Sequence, residues 1–285
     1  ENFLKDKQRA LDFIDEMDRH RRYFRFYLFS SAETVLEFGV ENLVRLGVVF
    51  LWIGFESKTR QDEFAKNQGV DARGLVRSLR RNGVSVLASG ILCMEHHTPD
   101  NMQEDVDYLV GLEADLVQFM LLMPLPVTGT YERFKRRGML REDLPYEEWH
   151  GQKSLPWRHP AFAEGDPERW LNGAFRQDYE QNSASLLRFC ETALDGYETL
   201  AARETRDANL DARMEQMAAT ARQYGLAMSV LADAPVNDLE RERVRALRAR
   251  LRAALGPRSL GERATLVAAR VVAAWWRLRL RLWGD

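Results

Sequence analysis

Apolar residues in the first half of the chain follow two alternating rhythms. Stretches with helical spacing cover Leu4–His20, Glu33–Leu46, Asp71–Asn82 and Pro99 to about Leu112. Between them lie short apolar runs at Tyr23–Phe29, Val48–Phe55, Val84–Cys93 and Asp115–Met123. Val48–Phe55 (VVFLWIGF) carries no charge at either parity, the pattern of a parallel strand buried between helices. The runs lead into polar or proline-marked segments: Ser30-Ser31, Glu56-Ser57, the loop Met94–Thr98, and Pro124-Leu125-Pro126. Strand and helix alternating with short links predict consecutive right-handed βα units. In such folds ligands gather at the carboxyl ends of the strands.

The texture changes near Tyr131. Residues 131–180 hold Trp149, Trp157, Trp170, His150, His159 and several prolines, with little periodicity. That content suits a structured irregular segment better than a linker. Helical stripes return at Leu186–Tyr197, Asn209–Tyr224 and Val244–Leu255, the last stopped by Gly256-Pro257, and a final helix is expected over Leu260–Trp283. The expected organisation is therefore α/β over 1–130, irregular over 131–180, and helical over 181–285.

Composition narrows the class. The chain has 285 residues, 45% hydrophobic and 29% charged, with a formal net charge of −2, which excludes a disordered protein. The near-neutral total hides a split: residues 201–285 carry sixteen Arg and no Lys against ten acidic residues, so the remainder is acidic. Two cysteines, Cys93 and Cys190, cannot build a disulfide scaffold or a four-ligand zinc site, and they suit a reducing, cytoplasmic setting. No signal-peptide pattern and no apolar run of about twenty residues occurs.

The polar strand ends are the main candidate site, since they would converge on one rim if the units share a barrel. Adjacent His96 and His97 invite a metal reading, but neighbouring residues of extended chain point to opposite sides and two ligands do not close a site. Cys93 beside His96 could be read as a nucleophile, although a packing role is the default for both cysteines. In the last helix Arg263, Arg270, Arg277 and Arg281 share a face, beside Leu266, Val267, Val271, Trp275, Leu278 and Trp283. That pattern fits either a helix docked on the domain or one lying on an anionic membrane over 260–283. The basic stripe is too short, and the rest of the chain too acidic, for a nucleic-acid partner.

Several short motifs occur in order: Glu1-Asn2-Phe3, Gly54-Phe55-Glu56-Ser57, Lys66, Asn82-Gly83, Ser89-Gly90-Ile91-Leu92 followed by Thr98-Pro99, and Pro124-Leu125-Pro126-Val127-Thr128. Together they resemble the second to sixth strands of a radical S-adenosylmethionine (radical SAM) enzyme. His150-Gly151-Gln152-Lys153 and Trp157-Arg158-His159-Pro160 resemble its B12-binding branch. The resemblance spans about residues 1–200. It implies the later strands of a partial (β/α)6 TIM-like barrel followed by helices. It also implies a [4Fe–4S] cluster that cleaves SAM to a radical, with cobalamin in methylating relatives, an upstream B12 domain, and a small or lipid-like substrate. Carried over by position, Ser30, Glu56, Ser57, Gly90, Ile91, Leu92, Gln118 and Met123 would contact SAM. His96, His97, Trp157 and His159 would lie in the substrate region. No catalytic residue is assigned.

The departures are as specific. No CxxxCxxC occurs, so no metal ligand is expected in this chain; Cys93 stands where the family has Gly, and Val127 where Pro-Gly-Thr is usual. A SAM pocket without a cluster has no electron source. Glu1-Asn2-Phe3 would follow the second strand, so the resemblance implies a C-terminal fragment of a longer enzyme, inactive alone and with an unpaired sheet edge near Tyr23–Phe29. The rival reading is a non-catalytic α/β binding or membrane-docking module with vestigial radical SAM features.

Overall fold

The computed structural model describes residues 2–59, 69–231 and 237–283. Glu1 and Lys66 lie outside the described residues, as do the side chains of Arg281 and Trp283. A four-stranded parallel sheet runs in the order β1 (Phe26–Ser30), β2 (Val48–Glu56), β3 (Ser85–Leu92) and β4 (Leu116–Leu121). Helix α1 (Lys7–His20) precedes β1, and α2 (Ala32–Phe38) and α3 (Val40–Leu46) lead to β2. Helix α4 (Ala72–Arg81) links β2 to β3, and α5 (Met102–Gly111) links β3 to β4. The α/β expectation therefore holds. The helix expected over Glu33–Leu46 is split, because Gly39 at φ 88° ends one segment and starts the next.

Neighbouring parallel strands joined by right-handed crossovers place their helices on one face. The burial pattern agrees. Leu51, Ile53 and Phe55 of β2, Val86, Ala88 and Leu92 of β3, and Val117, Phe119 and Leu121 of β4 are buried on the helix side. Phe50, Trp52, Ser89, Ile91, Gln118 and Met120 lie half-buried on the other face, while Tyr27 and Phe29 are 71% and 59% exposed. The expectation that β2 is buried between helices on both sides is corrected: its second face is uncharged because it is aromatic. There Phe29 meets Trp52 with ring centroids 4.8 Å apart, and Tyr27 meets Phe50 at 5.6 Å.

The segment 131–180 is also more regular than its sequence suggests. It contains most of α6 (Gly129–Arg136) and α7 (Asp166–Asn182), leaving 137–165 as the irregular part. Helices α8 (Ser185–Ala201), α9 (Ala208–Leu231), α10 (Asp238–Leu255) and α11 (Leu260–Trp283) complete the described chain. Phe189 of α8 stacks on Tyr224 of α9 and reaches Phe50 at 6.2 Å, so these helices close the amino-terminal end of the aromatic face.

Two buried charge networks fasten the helices to the sheet. Arg188 of α8 grips Asp178 of α7 in a fork, with Nη1–Oδ1 2.9 Å and Nη2–Oδ2 2.7 Å, and also donates to Ala114 O. Asp115, fully buried before β4, accepts from Val86 N and Thr192 Oγ1, with Arg80 at 3.5 Å. Burial pushes the Asp115 carboxyl up, against the opposing pull of Arg80 and the bond from Thr192. Removing one partner of a buried pair strands the other. Asp178→Ala is thus expected to cost about 3–5 kcal/mol in urea unfolding; a loss below about 1 kcal/mol would show that Arg188 is not held by this pair.

Candidate functional site

At the carboxyl edge of the sheet the chain leaves each strand sharply. Glu56 has φ 63° at the end of β2, where the β2–β3 register shifts between Gly54 and Glu56, and Cys93 has φ 55° just after β3. The two loops that follow converge on one carboxylate, Asp105, in the first turn of α5. Ser57 Oγ donates to its Oδ2 at 2.5 Å, and Lys58 N and Thr59 N both donate to its Oδ1 at 2.8 Å. His97 Nε2 donates to Oδ2 at 2.9 Å, while His97 Nδ1 accepts from Met94 N at 2.9 Å. That acceptance by Nδ1 leaves Nε2 as the protonated nitrogen. Thr59 Oγ1 also lies 2.8 Å from His96 Nε2, which adds the second histidine.

Asp105 and the His97 ring are fully buried. Burial alone raises the Asp105 carboxyl. Hydrogen bonds from His97, Ser57 and Thr59 outweigh it and hold the group below its ordinary 3.8. Donor atoms of His96, His97 and Asp105 lie within 4.8 Å of one another, close enough for a cation. Their hydrogen bonds describe a knot that ties loops, and the His97 proton occupies the lone pair a metal would need.

The open face of the sheet, below this rim, has a different character. Gly54, Ser89 and Gln118 stand in register across β2, β3 and β4, with Ile91 opposite Met120 one step further along. Trp52 Nε1 donates to Ser89 Oγ at 3.0 Å. Gln118 Oε1 is enclosed and has no hydrogen-bond partner among the described residues. An enclosed acceptor without a donor costs about 1–3 kcal/mol, so this oxygen marks a place where a donor fits.

The residues singled out by position divide accordingly. Ile91 and Gln118 lie on the open face, and Glu56 is half-buried at its carboxyl edge. Ser57 is buried against Asp105. Ser30 donates to Asn2 Oδ1 at 3.1 Å and lies at the parity of Leu28, away from Phe29 and Tyr27. Gly90 and Leu92 alternate with Ile91 and belong to the helix side. A Cβ at Gly90 would run into Leu109 of α5 and come within 2.8 Å of the Glu56 backbone oxygen, so the close approach of β2 and α5 demands this glycine. Met123 packs near Gly151, whose carbonyl accepts from Leu121 N on the edge of β4.

His96 and His97 belong to the Asp105 knot. Trp157 is buried, packs at a tilt against the Phe134 and His159 rings, and donates to Leu122 O. His159 Nε2 donates to Met94 O at 2.9 Å, and burial lowers its basicity. Both residues clamp the irregular segment onto the strand ends. Burial pushes the Cys93 thiol far up, which removes the nucleophile reading.

Three residues escaped sequence reasoning. Trp52 and Ser89 were visible only as parts of strands. Asp105 left a signal: with Met102, Val106 and Leu109 it occupies an apolar helical stripe, where a carboxylate needs buried partners.

The sign of the pH effect follows from the lowered carboxyl. A depressed folded-state value contributes stability that is present above the ordinary value of 3.8 and is lost as pH falls through the folded value. Asp105→Asn is expected to destabilise the fold by about 3 kcal/mol near neutral pH. Its stability should also fall less steeply than the parent's between neutrality and strong acid, in urea titrations across pH. Parallel curves would remove Asp105 from that role.

No protein-family model matches the chain, and no curated protein matches it. Among solved structures, the radical S-adenosylmethionine methyltransferase TsrM from Kitasatospora setae, with cobalamin and a [4Fe–4S] cluster bound, is similar at TM-score 0.46 and 16% sequence identity. The match covers 75% of this chain and 48% of that one, so the chain spans about half the length of that structure.

Proposed function

We propose that the open face of the sheet binds the adenosyl part of S-adenosylmethionine, and that the chain is the later part of a radical SAM barrel. The observation that carries this reading is Gln118 Oε1, an enclosed acceptor with no donor among the described residues, set among Trp52, Ser89, Ile91 and Met120. An adenosyl group offers what this face requires: a flat apolar ring for the aromatic and aliphatic walls, and amino or hydroxyl donors for the lone acceptor. The sequential parallel order of the strands and their polar carboxyl ends support the same placement.

The cluster is another matter. The 285 residues contain two cysteines; Cys93 is buried in the sheet core and Cys190 in a separate helical core. Burial pushes both thiols up. These residues do not fit a [4Fe–4S] site, so no radical step is assigned to this chain, and cleavage of SAM would require a cluster held by polypeptide outside it. Cobalamin-dependent methylation of a small or lipid-like substrate is the wider activity this reading extends to, and no residue here is assigned to cobalamin. The missing ligand set favours the second reading, a non-catalytic binding or docking module.

Calorimetry of the purified chain with S-adenosylmethionine and S-adenosylhomocysteine separates the two. Binding of both is expected, weakened about tenfold by Gln118→Leu, as loss of one buried hydrogen bond dictates. No heat from either ligand, with the fold intact by circular dichroism, would overturn the adenosyl site and leave the second reading. Anaerobic reconstitution is expected to leave the chain without stoichiometric iron, and a full cluster by iron analysis would overturn the assignment of its ligands to other polypeptide.

A further inference from the structure

The last helix presents its apolar side to solvent. Leu260, Val267, Val271, Trp275 and Leu278 are 55–82% exposed, and their spacing of three, four and seven residues puts them on one stripe. Leu266, on the opposite side, is buried, and Glu262 of the same side pairs with Arg222 of α9. The helix is therefore docked by its polar flank and early turns, while its Val, Leu and Trp stripe faces outward. Apolar stripes of this kind on an otherwise folded chain mark a surface that something covers.

Arginines border the stripe. Within α11, Arg263, Arg270, Arg277, Arg279 and Arg281 stand against one acidic residue, Glu262. Arg279 lies over the Trp275 and Trp276 rings, at 5.9 and 4.9 Å. Beside the helix, between α9, α10 and α11, a cleft of about 460 Å³ is lined by Arg222, Arg248, Arg252, Arg258, Arg263 and Arg270. Arg222 and Arg258 spend donors on Leu255 O and Ser229 Oγ, and Arg252 and Arg263 form no ion pair among the described residues. Arg263 and Arg270 line the cleft and flank the apolar stripe at once.

We propose that this face docks on an anionic lipid bilayer, with α11 lying in the interface and the arginine cleft taking a headgroup phosphate. The chemistry is complementary at both depths: Val, Leu and Trp enter the acyl boundary, and guanidinium forks meet phosphate above it. No described helix is long and apolar enough to cross a membrane, so the helix lies along the surface. A second copy of this chain is the poorer occupant, because symmetric pairing of α11 would set two arginine rows together.

Sedimentation of the full chain with extruded vesicles tests this surface. Binding is expected to phosphatidylcholine vesicles containing one-quarter phosphatidylglycerol, much weaker binding to phosphatidylcholine alone, and release by high salt. Val271→Glu with Trp275→Glu, and separately Arg252→Glu with Arg263→Glu, should each reduce partitioning at least about tenfold. Both pairs sit on exposed or cleft positions, and circular dichroism checks that the fold survives. Equal binding to neutral vesicles, or variants that bind like the parent, would overturn the proposal. So would a chain that stays in the supernatant while velocity sedimentation shows a dimer abolished by Val271→Glu with Trp275→Glu; that result assigns the face to a second copy. Binding of free glycerol phosphate without vesicle binding would reduce the cleft to a soluble-anion site and equally overturn it. The outcome is independent of the adenosyl site, which calorimetry reads separately.

Discussion

Two loops leave a parallel sheet at its carboxyl edge, and a single buried carboxylate holds them in place. Asp105 accepts from Ser57, Lys58, Thr59 and His97, so the ends of β2 and β3 and the start of α5 share one anchor. Parallel strands cannot be closed by hairpins, and their connections must cross over. Each crossover therefore leaves polar backbone at the strand end that water or side chains must satisfy. Asp105 satisfies two backbone N–H groups itself and orients His97, which satisfies a third at Met94. His159 then takes the Met94 carbonyl, linking the irregular segment to the same edge.

The opposite edge is held by a similar device made from stronger charges. Asp115 before β4, Asp178 of α7 and the guanidinium groups of Arg80 and Arg188 bridge helices to the sheet. A further arginine, the buried Arg213 of α9, donates to Phe24 O and Arg45 O under the start of β1, and burial lowers it to about 10. It caps the carbonyl end of α3 with positive charge, where the helix dipole favours it. Both edges are fixed and the face between them stays open, with Phe50, Phe189 and Tyr224 closing its floor.

Much of the strand and helix order was legible in the chain. The runs Tyr23–Phe29, Val48–Phe55, Val84–Cys93 and Asp115–Met123 mark β1 to β4 to within a few residues, because apolar strands and amphipathic helices differ in period. Two local errors have local causes. Gly39 interrupts a stripe that otherwise reads as one helix. Aromatic residues on β2 mimic a strand buried on both faces, since periodicity registers hydrophobicity and not the thing that covers it. The candidate site was legible only in part. Parity along β3 separates Ile91 from Gly90 and Leu92, but resemblance by motif treats all three alike.

The amino-acid sequence by itself determined the α/β order, the helical second half, the charge split, and the lack of a third cysteine. These are properties of local period and composition, and they need no partner to be read. Tertiary structure alone decided which side of each element is covered. It turned the α11 stripe outward, buried Trp157 and His159 in a clamp, drew His97 and Ser57 onto Asp105, and left Gln118 Oε1 without a donor among the described residues. The physical reason is that burial and hydrogen bonding are satisfied between residues far apart in the chain; Ser57 and Asp105 are forty-eight positions apart.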